Sequence, residues 1–426
     1  MKEALLHFVW QYQLIRPERL ETTNGQQIEI INCGTYNKNE SADFLDAKIR
    51  IGNLLFIGNI EIHINSSDWR KHQHQTNKKY NNVILHIVYN DDEPLENVPT
   101  LELNGKIPPY ILQQYGQLMQ SKLPVPCQFD WKNLTRLEQV AFQDRFILER
   151  LNNKSKKILM TLQYCNNDWL QTKYALLLKY FGGNVNQFGF TELATRLDYK
   201  ILIKHADNLF QIEALLFGTA GFLEDDIQDN YYENLKKEFQ YLQRKYNIVS
   251  LKKTIWNFMR MRPASFPTIK IALLAALIHA SPQLYQMQHI ENAQVFLANI
   301  TASNYWDRHY QFGKESNLLV KHIGKSSIHA LLINYNIPLF YTYQTTFEQK
   351  DVLQTCIEYY ETLPFEQNHK IKYFKTNISK PSALDSQVLI ELYDAYCSPK
   401  RCLDCPIGFK ILKNKHFQRQ ELIRNA

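Results

Sequence analysis

From Leu54 to Asn65 the chain reads LLFIGNIEIHIN, and its second half alternates without a break. Ile60, Ile62 and Ile64 fall between Asn59, Glu61, His63 and Asn65. A period of two marks a β-strand, because successive side chains leave opposite faces of the pleat. A helix would scatter the same isoleucines around its cylinder. The strand therefore has one apolar face that requires a core. Its other face carries polar groups that are either solvated or a site.

The neighbouring segments supply the rest of a small domain. Residues 3–14 carry Leu5, Leu6, Phe8, Val9 and Tyr12 at helical spacing, and Arg16–Pro17 ends the run. Asn24–Gly25 is a turn signal, and Gln27–Cys33 alternates like a strand. Asp43–Ile51 is extended, Gly52–Asn53 is a tight turn, and Leu54–Asn65 folds back as the second arm of a hairpin. From Ser66 the pattern becomes polar and helical, with Ser66 or Ser67 as N-cap, until Asn81–Asn82 break it. Val83–Tyr89 is apolar enough for a buried strand. The order is helix, three strands, helix, strand, which makes residues 1–92 one α/β module.

Candidate functional groups concentrate between Ser41 and Tyr89: Asp43, Glu61, His63, His72, His74 and His86. Asp43 lies on the hairpin partner of Glu61 and comes near it across the pair. On a regular helix His72 and His74 point about 200° apart, so at most one faces Glu61. Each residue also has a structural reading. Glu61 and His63 form a hydrogen-bonded pair on a solvated face, and Asp43 caps a turn. Asp68 stabilises a helix start through the dipole. His86 is a satisfied buried histidine, and Trp69 and Tyr80 are packing residues.

The run GNIEIHINSSDWRKHQHQTNKKYNNVILHIVY resembles a bacterial family known only as a domain of unknown function, family 2851. EALLHFVW near the start, EALLFGTAGFL (213–223), RMRPASFPTIKIALLAAL (260–277) and YCSPKRCLDCPIG (396–408) extend the resemblance. The αβββαβ order, with Ala42–Asp43–Phe44 followed by Glu61-x-His63, is similar to the PD-(D/E)XK phosphodiesterase superfamily of nucleases. That resemblance implies a restriction-endonuclease-like module in which Asp43 and Glu61 hold Mg2+ or Mn2+. Such a metal activates water and stabilises charge on the phosphate. Glu3 matches an accessory acid, Ala42 stands where proline would, and His63 stands where the lysine would. A histidine there can orient or activate water. Asp68, His72 and His74 are further candidate ligands. The resemblance thus implies a metal-dependent phosphodiesterase acting on nucleic acid. One alternative is a catalytically inactive nuclease-like fold that binds nucleic acid or a protein. Another is a hydrolase whose metal is held by His63, His72, His74 and His86.

Residues 93–130 hold Pro94, Pro99, Pro108, Pro109, Pro124 and Pro126, which predicts an irregular surface connection with one short helix over Tyr110–Ser121. From Trp131 the periodicity is helical, so the whole chain reads as α+β: the α/β module, then a large all-α domain over 131–426. The net charge of +7 favours polyanionic partners such as nucleic acid. Arg260, Arg262 and Lys270, around Pro263 and Pro267, are the candidate phosphate contacts, or else a solvated basic loop. Cys397, Cys402 and Cys405 have C-x4-C-x2-C spacing, which suits Zn2+ or an iron–sulfur cluster. The fourth ligand would be His416, Cys356 or Cys127. Seven scattered cysteines do not read as a disulfide framework. The N-terminus lacks a signal-peptide pattern and no run reaches bilayer length, so the expected location is the cytoplasm, away from membranes.

Overall fold

The alternating strand lies inside a six-stranded mixed sheet in the computed structural model of the chain, which describes residues 2–16, 20–127, 134–284, 290–347, 352–374 and 380–413. Helix α1 spans Glu3–Gln11. The strands are β1 (Ile28–Asn32), β2 (Thr35–Tyr36), β3 (Phe44–Ile51), β4 (Leu54–Asn65), β5 (Val83–Asn90) and β6 (Thr100–Glu102). Their order is β1-β3-β4-β5-β6, with β2 also paired to β3. β3 and β4 are the expected antiparallel hairpin, and Gly52 takes the left-handed conformation at its turn (φ +57). β4 and β5 run parallel, as a strand–crossover–strand connection requires.

The apolar face of the sheet is the core of this unit. Phe44, Ile49, Ile60, Ile62, Leu85 and Ile87 are fully buried against Leu5, Leu6, Val9 and Trp10 of α1. Each such side chain contributes on the order of 1.5–3 kcal/mol of transfer free energy. α1 stops earlier than Arg16–Pro17 suggested. Gln13 is left-handed (φ 51), and the Trp10 indole N–H donates to the Cys33 carbonyl at 3.0 Å. The other face of the sheet carries Ala42, Trp69 and Val83, with Tyr80, Leu95 and Val98 packed around them.

The structure corrects the expectation for residues 93–130. Thr100–Glu102 adds a strand parallel to β5, and α3 (Pro109–Gln120) follows it. Leu101, Leu103, Ile107, Ile111 and Leu118 join the module's core. The prolines punctuate this order without excluding it: Pro99 precedes the strand, and Pro109 occupies the first turn of α3, where a missing N–H costs nothing. The tail is also reassigned. Two compact units are present, one of Met1–Asn133 with Lys372–Thr376 and Leu392–Ala426, the other of Leu134–Ile371 with Asn377–Glu391. Cys402 and Leu412 belong to the first unit's core, and Phe409 sits 4.5 Å from the Tyr12 ring, centroid to centroid.

The second unit is helical, as its periodicity predicts. Its first helix, α4 (Arg136–Tyr164), opens with a capping box: Thr135 Oγ1 accepts from Glu138 N–H, and Glu138 accepts from Thr135 N–H at 2.8 Å. The helix Pro267–Ala280 is apolar all round and buried on nearly every side. This unit is not purely helical, since His309–Gln311 and Lys314–Glu315 pair as a short hairpin across Gly313 (φ +67). Among the described residues, no helix is long and apolar enough to cross a membrane.

Candidate metal centre

Asp43 reaches Glu61 because β3 is bulged. Register runs Phe44↔Ile60 before the irregularity and Ala47↔Gly58 after it, with Asp46 left-handed (φ 56) between them. The extra residue shifts the phase by one position. Without it Asp43 would lie opposite Ile62 and share the core face. With it Asp43 lies opposite Glu61. Its backbone N–H donates to Glu61 Oε2 at 3.2 Å, and its own Oδ2 accepts from Ile62 N–H at 2.9 Å.

β4 and β5 supply the next layer. Glu61 pairs with His86 and His63 with Val88, so Glu61, His63 and His86 share one face. All three are buried. His63 Nε2 lies 3.5 Å from Glu61 Oε1, and His63 Nδ1 lies 2.9 Å from His86 Nε2.

The segment after β4 is not the regular helix the sequence predicts. Helix α2 covers only Asp68–Lys71, Gln73 turns left-handed (φ 58), and two 3-10 turns follow at His74–Thr76 and Lys78–Tyr80. The break cancels the 200° separation of His72 and His74, and both turn to the centre. His72 Nδ1 is 3.2 Å from His63 Nε2, and His74 Nε2 is 3.3 Å from Glu61 Oε1. The His74 ring is fixed by stacking on Tyr80, with centroids 3.8 Å apart. His72 remains exposed, which leaves the centre open to solvent on that side.

Two sets of ligand atoms each fall within 4.8 Å of one another: His63–His72–His74, and Glu3–His7–Asp43. Glu61 lies between them, with one oxygen toward each. A tetrahedral ion with nitrogen ligands at about 2.1 Å places ligand atoms roughly 3.4 Å apart. The contacts at 3.2, 3.3 and 3.5 Å fit that spacing. Buried His74 makes no hydrogen bond through either ring nitrogen, and its Nε2, which faces Glu61, is the one an ion could take. Three imidazoles and a carboxylate suit a transition-metal ion better than Mg2+, which prefers oxygen ligands and water.

The electrostatics follow from burial and crowding. Burial, then Asp43, pushes the Glu61 carboxyl up to about 9. Burial, then His86, His74 and His72, pushes His63 down to about 3. Burial and His74 bring His86 down to about 3 as well. Glu3 is raised by burial and by Asp43. All of these favour neutral forms, as desolvation of crowded ionisable groups does.

Not every candidate belongs to the centre. Asp68 accepts from Asn65 N–H at 3.2 Å and pairs with Lys71 at 2.8 Å, so it holds the strand–helix junction. His86 stands behind His63, outside the ligand set. His7, 3.3 Å from Asp43 Oδ2, was not among the sequence candidates; its position four residues after Glu3 on one helical face was the available signal. In the helical unit, Lys270 lies at a helix end. Its ammonium donates to the Phe181 carbonyl at 2.7 Å, and burial pushes it down to about 8. Arg260 and Arg262 are exposed. Cys397, Cys402 and Cys405 surround a different hollow of the first unit. Cys356 is buried in the helical unit, and His416 lies outside the described residues.

Fold and centre together define a protein with a mixed-sheet module bearing a carboxylate–histidine cluster, combined with a helical unit. The chain belongs to the family described as Protein of unknown function (DUF2851), whose profile matches residues 3–369. No curated protein and no solved structure matches the chain.

Proposed function

We propose that the module is a metal-dependent phosphodiesterase acting on nucleic acid, with Asp43, Glu61 and His63 at its centre. The observation that carries this reading is that buried Glu61 stands beside two sets of potential ligands, contacting His63 and His74 through Oε1 and the Asp43 N–H through Oε2, with exposed His72 on the open side. The strand order and the placement of Asp43 and Glu61-x-His63 on adjacent antiparallel strands support the likeness to PD-(D/E)XK nucleases. The net charge of +7 suits a polyanionic substrate.

Three imidazoles beside a carboxylate widen the expected ions from Mg2+ or Mn2+ to Zn2+ and other imidazole-preferring transition metals. Such an ion, when bound, lowers the pKa of water and offsets charge on a phosphate. The chain's own residues have separable tasks. Asp43, held by Ile62 N–H, and Glu61, held by Asp43 N–H, fix two carboxylates in register. With an ion on Nε2, the His63 Nδ1–H would donate to His86 Nε2, 2.9 Å away. Its low proton affinity suits holding an ion or orienting water better than removing a proton. His72 is placed at the solvent-facing side, where substrate enters.

Plasmid DNA, single-stranded DNA and RNA incubated with purified protein and Mn2+, Zn2+ or Mg2+ test the reading. The expected result is cleavage with Mn2+ that chelation abolishes and that falls at least about 100-fold in Glu61→Ala and Asp43→Asn. Cleavage that survives Glu61→Ala would sink the site. Retained nucleic-acid binding with no cleavage of any substrate would leave a binding module in place of an enzyme.

A further inference from the structure

A second cluster of metal-binding side chains lies in the first unit and takes no part in the centre described above. Cys397 ends a π-helical turn (Tyr393–Cys397), Cys402 lies in the following turn, and Cys405 directly precedes the helix Pro406–Lys413. Cys127 comes from the chain after α3. These four thiols line one hollow, walled by Phe374, Leu392, Tyr396 and Ile407. None forms a disulfide; Cys397, Cys402 and Cys405 are buried and Cys127 is half-buried. The sequence offered three candidates for the fourth ligand, and the fold brings Cys127 to the other three.

The surroundings hold this arrangement in place. A Cβ at Gly408 would lie 1.9 Å from the Cys402 carbonyl oxygen, so only glycine lets the helix start press against the Cys402 turn. Lys400 donates to the Met119 and Ser121 carbonyls at 3.0 and 2.9 Å, clasping the cysteine loop to the end of α3 near Cys127. Burial pushes the Cys402 thiol up to about 11 and Cys397 up as well, with the Lys400 charge working against this at Cys402. Four thiols lining one apolar hollow are a donor set suited to a metal bound through sulfur.

The spacing separates the two metals that four thiolates commonly hold. A single zinc ion at about 2.3 Å from each sulfur draws all four sulfurs to roughly 3.8 Å from one another. No set from these four thiols is among those whose ligand atoms fall within 4.8 Å. An iron–sulfur cubane sets its thiolates farther apart, because each binds a different iron. We infer that Cys127, Cys397, Cys402 and Cys405 ligate a [4Fe–4S] cluster. Each thiol gives up its proton as one iron–thiolate bond forms, and the cluster ties the C-terminal helix to α3 and the module core.

Full-length protein, purified without oxygen or reconstituted without oxygen using equal ferrous and ferric iron and sulfide, tests this. The expected result is about four iron and four sulfide per chain, with a visible charge-transfer absorption that bleaches on reduction. Cys127→Ser, at the half-buried and least constrained ligand, is expected to lose most of that iron while retaining its far-ultraviolet circular dichroism. Cys165→Ser, in the helical unit, is expected to keep it. Stoichiometric zinc in place of iron, absence of both metals after reconstitution, or a full cluster in Cys127→Ser would each overturn the inference. None of these outcomes bears on cleavage at Glu61.

Discussion

Replacing His86 with phenylalanine removes one hydrogen-bond acceptor from behind the centre while keeping a planar ring in a fully buried position. In metal-free protein His63 can move its proton to Nε2, where Glu61 Oε1 at 3.5 Å and His72 Nδ1 at 3.2 Å lie nearby. With an ion at Nε2 that tautomer is closed, and the proton must sit on Nδ1, facing His86 Nε2 at 2.9 Å. The cost of an unpaired buried N–H, about 1–3 kcal/mol, therefore falls on the metal-bound state alone. It corresponds to an affinity loss of roughly 5- to 150-fold. Competition against a fluorescent chelator with Mn2+ or Zn2+ measures it, and a thermal melt confirms that the variant folds. His86→Gln, whose side-chain oxygen can accept from Nδ1–H, is expected to recover part of the loss. A folded His86→Phe protein that binds metal as tightly as wild type would refute the assignment of His63 Nε2 as a ligand.

Further outcomes follow from the same coordinates. Because Glu61 is pushed up to about 9 from 4.5, it is protonated at pH 7, whereas His63, pushed down to about 3, is already neutral. Metal uptake at pH 7 is thus expected to release close to one proton from Glu61, read with an indicator dye in weak buffer, and Glu61→Gln should abolish that release. In chelator the raised Glu61 makes the module lose stability as pH rises from about 4.5 to about 9. The depressed His63 removes stability as pH falls from 6.5 toward about 3, so denaturant melts should show a mid-range optimum. Gly58→Ala places a Cβ 2.6 Å from the Asn82 carbonyl oxygen and 2.5 Å from Ile84 Cγ2, so the β4–β5 junction should lose about 1–3 kcal/mol by urea titration. In the helical unit, Gly218→Ala meets the Phe239 ring at 2.1 Å and should lower that unit's denaturation midpoint by a similar energy.

Much of the module was legible because its signals are local. The alternation of Ile60, Ile62 and Ile64 fixed the buried face, and Gly52–Asn53 located the hairpin. Those two facts bring Asp43 toward Glu61. What the sequence did not reveal depends on backbone irregularity. Nothing in Leu45–Asp46 announces a bulge, yet that one residue decides which face Asp43 occupies. Likewise, Gln73 carries no turn signal, and its left-handed conformation alone lets His72 and His74 converge. His86 was read as a satisfied core histidine, and its burial is real, but its partner is His63 and its own Nδ1 has no hydrogen bond. Proline density misdirected the reading of residues 93–130, where buried Leu101 and Leu103 were the better guide. The approach of Cys127 to the tail cysteines joins residues about 270 apart, beyond the reach of any spacing rule.

The proposed centre sets Asp43 and Glu61 beside the His63–His72–His74 ligand set. Anomalous diffraction from crystals soaked in Mn2+ or Zn2+ tests it directly. The expected result is a single strong peak about 2.0–2.2 Å from His63 Nε2, His72 Nδ1 and His74 Nε2, with a Glu61 oxygen completing the shell. Metal bound only at exposed carboxylates elsewhere, with these four side chains unliganded, would contradict it.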